Sequence, residues 1–433
     1  MREVDAILED DELLGAVFEA QGQRHKESCR LGRHQTPAEV VLRMLLLKHV
    51  RNWSYEVLER EVRANLVYRS FCRIGLEKVP DAKTLVRLGQ AVGPEVLTEL
   101  HARIVALAQA IGIVQGRKMR VDTTVVETNV HYPTDSSLLG DGARVLTRTM
   151  KKVAVQKRGG LKTKLRDRMR TVKRRVMEIG LATRQKGPQG EERKKAAYRR
   201  LLSATRKIAN QAERVINEIA HSRGKVKKLG QQLGEAVTRV RQVIRQTVAR
   251  IFRGDTQYPE KLASIFEPHT EIIRKGKASK PTEFGKMVQI QEAENQIITV
   301  YEVFDKRPCD SELLVPAVKS HQQQFDRVPR LVAADAAFYS KINEDQLHQM
   351  GVRRVAVPNR NTRSQERKRL QRRPWFKQGQ RWRTGCEGRI SVLKRRHGLS
   401  RCRYRGIDGI KRWVGFGVIA DNLVSIGNAL AQA

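Results

Sequence analysis

Apolar positions recur every three or four residues through the middle of the chain. Leu161, Leu165, Met169, Val172, Val176 and Ile179 form one stripe, and Leu201, Ile208, Ala212, Val215 and Ile219 a second. Leu229, Leu233, Val237, Val240, Ile244 and Ile251 form a third. That period marks one face of an amphipathic helix. Gly and Pro interrupt it over residues 185–190, and Ser222 to Gly224 interrupt it again. Residues 143–252 therefore read as three long helices whose narrow seams predict a hairpin or coiled-coil-like bundle.

Shorter helical patterns come first. Residues 1–30 open with the acids Glu9, Asp10, Asp11 and Glu12 and read as a short helix. Thr36-Pro37-Ala38-Glu39 predicts a helix start, with Thr36 as cap, Pro37 in the first turn and Glu39 reaching back. Val40, Val41, Met44, Leu45 and Leu47 follow as its apolar stripe. Further helices are predicted after Trp53-Ser54 and Pro80-Asp81, ending near residue 110. Such a unit suits either a helix-turn-helix DNA reader or a packing and dimerisation domain.

Period-two and β-branched runs predict strands at 119–126, 286–291, 296–304, 330–335 and 352–357. Helices are expected over 310–325, 341–350 and 384–396, whereas Pro133 to Ser137 and Gly140 to Gly142 read as loop and turn. Interleaved strands and helices of this kind make a mixed α/β layout.

Charge changes the picture. The 433 residues carry a formal charge of +39, but it is concentrated. Residues 151–250 hold 30 Lys and Arg against 7 Asp and Glu, and residues 351–412 hold 21 against 3. Two strongly basic segments in an otherwise near-neutral chain suggest a nucleic-acid footprint. The five cysteines (Cys29, Cys72, Cys309, Cys386, Cys402) are scattered without a Cys-x-x-Cys pair, which argues against a disulfide framework or a zinc site. No run approaches the roughly 18 uninterrupted apolar residues of a membrane span. With no basic-then-apolar leader at the start, the expectation is a cytosolic protein.

Three acids need a reason. Asp122 lies inside a predicted strand, Asp335 closes another, and Glu387 sits within the second basic segment. A carboxylate in an apolar run is costly without a partner. Brought together, three such groups could hold two divalent cations, preferably Mg²⁺ or Mn²⁺, which suit phosphodiester chemistry. Each acid taken alone reads more readily as a solvated or salt-bridged carboxylate, and it is the combination that points to metal.

Leu42–Glu59, Asn65–Phe71 and Pro80–Leu85 resemble the helical N-terminal domain of bacterial insertion-sequence DDE transposases, in their InsH-like branch. Val121–Asn129 resembles the first catalytic block of that family and Ala333–Ser340 the second. The third block in many of these enzymes reads Tyr-x2-Arg-x3-Glu-x6-Lys. Arg383, Glu387 and Lys394 match its last three places, while Gln380 stands where tyrosine is usual.

The resemblance implies an RNase H-like mixed-sheet catalytic core with Asp122, Asp335 and Glu387 as catalytic metal ligands for two Mg²⁺ or Mn²⁺ ions. It also implies an all-α N-terminal domain over 1–112 and a core split into 113–142 and 256–433. The basic helices of 143–255 would be inserted after the first strand. Arg383 and Lys394 would flank Glu387 as phosphate-holding bases, and Lys194, Lys195, Arg199 and Arg200 are candidate DNA contacts on the basic helices. The expected activity is end cleavage and strand transfer. The expected partners are double-stranded DNA (terminal inverted repeats and target) and a second copy of the chain, in the cytoplasm at the nucleoid, with no membrane. Two rivals stand beside it. One is a non-catalytic or domesticated DNA-binding relative, and the other a structural RNA-binding protein explained by charge alone.

Overall fold

Side chains that can satisfy free amides mark where several of the helices begin. The computed structural model describes residues 2–23, 36–274 and 281–432. Its first elements are α1 (Arg2–Leu8), α2 (Asp11–Gly22), α3 (Ala38–Val50), α4 (Tyr55–Ala64), α5 (Leu66–Phe71), α6 (Ala82–Ala91) and α7 (Pro94–Ala110). Asp10, Ser54, Asn65 and Asp81 each accept an amide from the first turn of the helix they precede, as N-caps do. At α3 the expectation differs from the outcome. Pro37 is the cap residue and makes no side-chain cap bond, while Glu39 turns to Arg43 at 2.8 Å. Arg43 is wholly buried and also binds Asp5 at 2.5 Å, so its demand for carboxylates outcompetes the local capping pattern.

Strand β1 (Lys118–Glu127) follows, then α8 (Asp135–Gln156), α9 (Met169–Arg184), α10 (Pro188–Glu218), α11 (Gly224–Arg253) and β2 (Glu271–Arg274). The chain continues through β3 (Thr282–Glu292), β4 (Ile298–Val303), α12 (Leu314–Phe325), β5 (Leu331–Ala333), α13 (Lys341–Gln349) and β6 (Arg354–Ala356). It ends with α14 (Gln365–Arg372), α15 (Pro374–Arg396) and α16 (Ile407–Leu430). Two units emerge: Met1–Asn129 with Gly285–Ala433, and the intervening Val130–Phe284.

The architecture is mixed α/β. In the first unit β1 pairs antiparallel with β3, and β3 antiparallel with β4. On its other side β1 pairs parallel with β5, and β5 parallel with β6. The order is thus β4-β3-β1-β5-β6, with β2 also pairing to β3. Helix α15 packs on β1, β5 and β6, while α16 packs on α1, α3, α7 and β4.

Helix α16 was not expected from the sequence. Its 24 residues are long and apolar enough to cross a membrane by length and composition, although Lys411, Arg412, Asp421, Asn422 and Ser425 interrupt the apolar run. Its apolar side chains are nevertheless spent inside the unit: Trp413, Phe416, Ile419, Leu423 and Ile426 are buried with residues of α3 and α7. A helix apolar on all sides and buried is a core helix.

The second unit is a bundle of α8–α11 around Leu139, Leu146, Leu201, Ile208, Val215, Leu233 and Val240. Four helices stand where three were expected. Thr134 and Ser137 form a capping box, and Gly140 to Gly142 lie inside α8 rather than in a turn. The reason is packing: a Cβ on Gly142 would stand 2.5 Å from Val240 Cγ2 of α11. Conversely, Leu161 and Leu165 lie in the segment before α9, partly buried against the core without being helical. Glu218 secures that segment, accepting the amides of Lys162 at 2.7 Å and Thr163 at 2.9 Å. The Lys157 ammonium, followed by these amides, holds the Glu218 carboxyl down at about 2.

Cys72, Cys309, Cys386 and Cys402 are free thiols, and Cys29 lies outside the described residues.

Candidate active site

Parallel pairing sends two of the three acids to the same end of neighbouring strands. Arg120 of β1 stands opposite Ala333, the last residue of β5. Asp122 follows two residues later on β1, and Asp335 two residues later in the turn beyond β5. Asp122 accepts the Thr123 amide at 2.7 Å. Asp335 caps the short 3₁₀ turn Ala336–Phe338, accepting the Ala337 amide at 2.7 Å. Thr123 Oγ1 donates to Asp310 at 3.0 Å, which brings a fourth carboxylate beside β1.

The third acid arrives on α15, which lies over these strands. Two glycines allow the approach. A Cβ on Gly379 would stand 2.7 Å from Ala356 Cβ, and one on Gly385 would collide with the Arg120 guanidinium. Gln380 ties the helix to the strand ends by donating to the carbonyls of Ala334 (3.1 Å) and Ala356. The residue standing in the tyrosine place of the third block is thus a strut between α15 and the ends of β5 and β6.

Arg383 is the centre of the arrangement. Its guanidinium lies 2.9 Å from Glu387 Oε1 and 3.7 Å from Asp122 Oδ2. Its Nε is buried and makes no hydrogen bond among the described residues. Glu387 is more than half exposed, whereas Asp122 and Arg383 are nearly covered. The structure therefore brings Asp122 and Glu387 to one guanidinium and sets Asp335 in the turn that follows the neighbouring strand. Among the described residues, however, no group of three or more His, Cys, Asp or Glu gathers to hold a metal ion. The donor chemistry fits Mg²⁺ or Mn²⁺, since all three are hard carboxylate oxygens. The cation that answers their charge here is Arg383.

Lys394 stands half-buried in the last turn of α15, two turns beyond Glu387. The four bases singled out on α10 belong to the other unit. Lys194 pairs with Glu191 at 3.0 Å, Arg200 lies 3.9 Å from Glu178, Arg199 covers the Phe252 ring, and Lys195 is exposed.

Comparison with known proteins agrees at both ends of the chain. Residues 1–90 match the family model described as Transposase domain (DUF772), and residues 346–426 match Transposase DDE domain. Two transposase family models thus match the chain, one at each end. The DDE match contains Arg383, Glu387 and Lys394, while Asp122 and Asp335 lie before it. An uncharacterised Rhizobium meliloti protein, ORF8 in the nfe locus, is 31% identical over 135 residues, or 30% of this chain. The chain spans 65% of the length of that relative. No solved structure matches.

The sequence pattern did not reveal what holds α15 in place. Arg120 donates to the Trp382 carbonyl and to Glu292, and it lies 4.8 Å over the Trp382 ring. Glu292 is fully buried, and desolvation raises its carboxyl above the usual range despite Arg120. At the other end Arg389 binds both oxygens of Asp421 on α16, at 2.8 and 3.0 Å. Between them the Cys386 thiol is pushed well up, first by burial and then by the carboxylates of Glu292 and Asp122. Arg120 alone left a trace in the sequence, as a charge two residues before Asp122 on the same strand face.

Proposed function

We propose that the chain is the transposase of a bacterial insertion sequence, working as a homodimer on the nucleoid in the cytoplasm. It binds the terminal inverted repeats of its element, cleaves strands at the ends and transfers the freed 3′ hydroxyls to target DNA. The observation that carries this reading is that Asp122, Asp335 and Glu387 come from β1, from the turn after its parallel neighbour β5, and from the helix packed on both strands. The strand order, with two antiparallel pairings on one side of β1 and two parallel pairings on the other, supports an RNase H-like core.

Asp122, Asp335 and Glu387 would hold two Mg²⁺ or Mn²⁺ ions, whose chemistry is to activate an attacking oxygen and steady the leaving one. The chain's own groups do the rest. Arg383 neutralises Asp122 and Glu387 in the resting protein and, released from them, is positioned with Lys394 to hold phosphate oxygens. Gln380 and the Arg120–Glu292 pair keep α15 at its distance from β1 and β5. In the other unit Lys194, Lys195, Arg199 and Arg200 contribute phosphate contacts to duplex DNA.

A second reading, a non-catalytic DNA-binding descendant, is favoured by the guanidinium lodged between Asp122 and Glu387. Nicking of a plasmid that carries the DNA flanking the gene separates the two. Cleavage is expected in Mg²⁺, and Asp122→Asn, Asp335→Asn and Glu387→Gln should each abolish it while end binding persists. Binding without cleavage in any divalent metal would leave the second reading standing.

A further inference from the structure

The four-helix unit carries a groove that the active-site reading does not use. It runs between α8, the segment before α9 and the first turns of α11, and encloses about 770 Å³. Its walls are basic. Arg148 and Lys152 project from α8, with Lys225 and Lys228 opposite on α11. Among the described residues, none of these four has an ion-pair partner. The one acid in the lining, Asp167, is already held by Lys151 at 2.6 Å. The floor is apolar: Met169 and Leu229 are partly buried against the core of the unit, and Val155 is 81% exposed.

Four unpaired cations around an apolar floor fit a ligand with both anionic and flat apolar surfaces. Arg148 and Lys152 are four residues apart, about 6 Å along the helix axis, close to the roughly 6.8 Å that two nucleotides of one strand occupy. The first turn of α11 has no side-chain cap, so its amide dipoles add to the positive field beside Lys225 and Lys228. A groove of this size spans a few nucleotides.

We propose that this groove captures a short stretch of single-stranded DNA. Its phosphates rest on Arg148, Lys152, Lys225 and Lys228, and its base and sugar faces lie on Val155, Met169 and Leu229. Strand capture of this kind combines a basic track with an apolar platform, and it does not require the cleavage chemistry of the other unit.

The test is fluorescence anisotropy of the full-length protein, without metal, between about 50 and 200 mM salt. The probes are labelled oligo-dT of about 12 nucleotides, a duplex of equal length, oligo-rU, and an acidic amphipathic peptide. Replacing Arg148, Lys152, Lys225 and Lys228 by Gln should weaken oligo-dT binding at least about tenfold. It should also flatten the log–log salt slope by up to roughly 0.7 per lost contact. Val155→Asp should weaken it comparably at unchanged charge on the walls. Removing the same charge elsewhere, by Lys173→Gln, Arg206→Gln, Lys207→Gln and Arg214→Gln, should change oligo-dT affinity less than about threefold. Circular dichroism melts confirm that each variant is folded. Equal losses in the groove and control variants, or tighter binding of the duplex, of oligo-rU or of the acidic peptide to the groove, would overturn the proposal.

Discussion

Replacing Arg120 by Met should destabilise the unit that carries α15 far more than replacing both Arg120 and Glu292. Arg120 is 4% exposed and Glu292 is fully buried, so the single change leaves a carboxylate in the interior without its cation. One Glu292 oxygen already lacks a partner among the described residues, which leaves no second group to take over. Breaking a buried pair from one side costs about 3–5 kcal/mol. Replacing both partners by apolar groups is often neutral, and here the residual cost is the lost charged hydrogen bond to the Trp382 carbonyl, about 1.5–3 kcal/mol. Arg120→Met with Glu292→Met should therefore be roughly 2 kcal/mol more stable than Arg120→Met alone. The sign with pH follows from burial, which raises the Glu292 carboxyl above its unfolded value. Stability from such a group is full below the unfolded value and is lost as pH rises through the folded one. The penalty of Arg120→Met should accordingly shrink on going from neutral pH to about pH 5, where the abandoned carboxyl can protonate. Urea unfolding followed by tryptophan fluorescence isolates this unit, because Trp53, Trp375, Trp382 and Trp413 all lie in it. A single variant costing under about 1 kcal/mol, or a double variant no more stable than the single, would refute the reasoning.

Three further outcomes are expected. Asp122→Asn, Asp335→Asn and Glu387→Gln should each lower Mg²⁺-dependent nicking to background with less than about threefold change in end binding, read by gel shift on the same DNA. Gly142→Ala should destabilise the four-helix unit by about 1–3 kcal/mol because its Cβ meets Val240, and adding Val240→Ala should recover most of it, as hydrogen exchange in α8 and α11 would report. Glu218, held at about 2 in the folded protein, contributes stability above its ordinary range near 4.5 that is lost as pH falls toward 2. Glu218→Gln should abolish that acid-dependent loss and deprotect the Lys162 and Thr163 amides in hydrogen exchange.

Local signals were legible where the chemistry is local. Ser54 and Asp81 announce their helices because a cap acts within one turn, and β1 reads clearly because β-branched residues crowd it. The glycines of α8 were misread as a turn because what they serve, the approach of Val240, is nowhere near them in sequence. Leu161 and Leu165 kept helical spacing while lying outside a helix, since a loop can also present two leucines to a core. Helix α16 was overlooked because it is buried on most sides and so lacks the polar face that creates a period. At the candidate site the three acids stand out one by one, but their relation does not. That Asp122 and Asp335 fall toward the same end of neighbouring strands depends on parallel pairing across more than two hundred residues. The intervention of Arg383 between Asp122 and Glu387 depends on the packing of α15 against β1.

The last pair in the β1–β3 ladder is Glu127 with Gly285. These two strands therefore form an ordinary antiparallel hairpin in which Val130–Phe284 takes the position of the turn. Closing such a hairpin around an unfolded segment of that length costs roughly 3 kcal/mol more than closing a turn of a few residues, because loop entropy grows only as the logarithm of length. That excess disappears when the four helices have already formed and their ends lie near each other. Rapid local collapse of the helical unit would thus let β1 and β3 meet as though they were neighbours in the chain. The order of events in folding would be helices first and sheet second, and a short synthetic turn in place of the helices should let the sheet form at least as quickly.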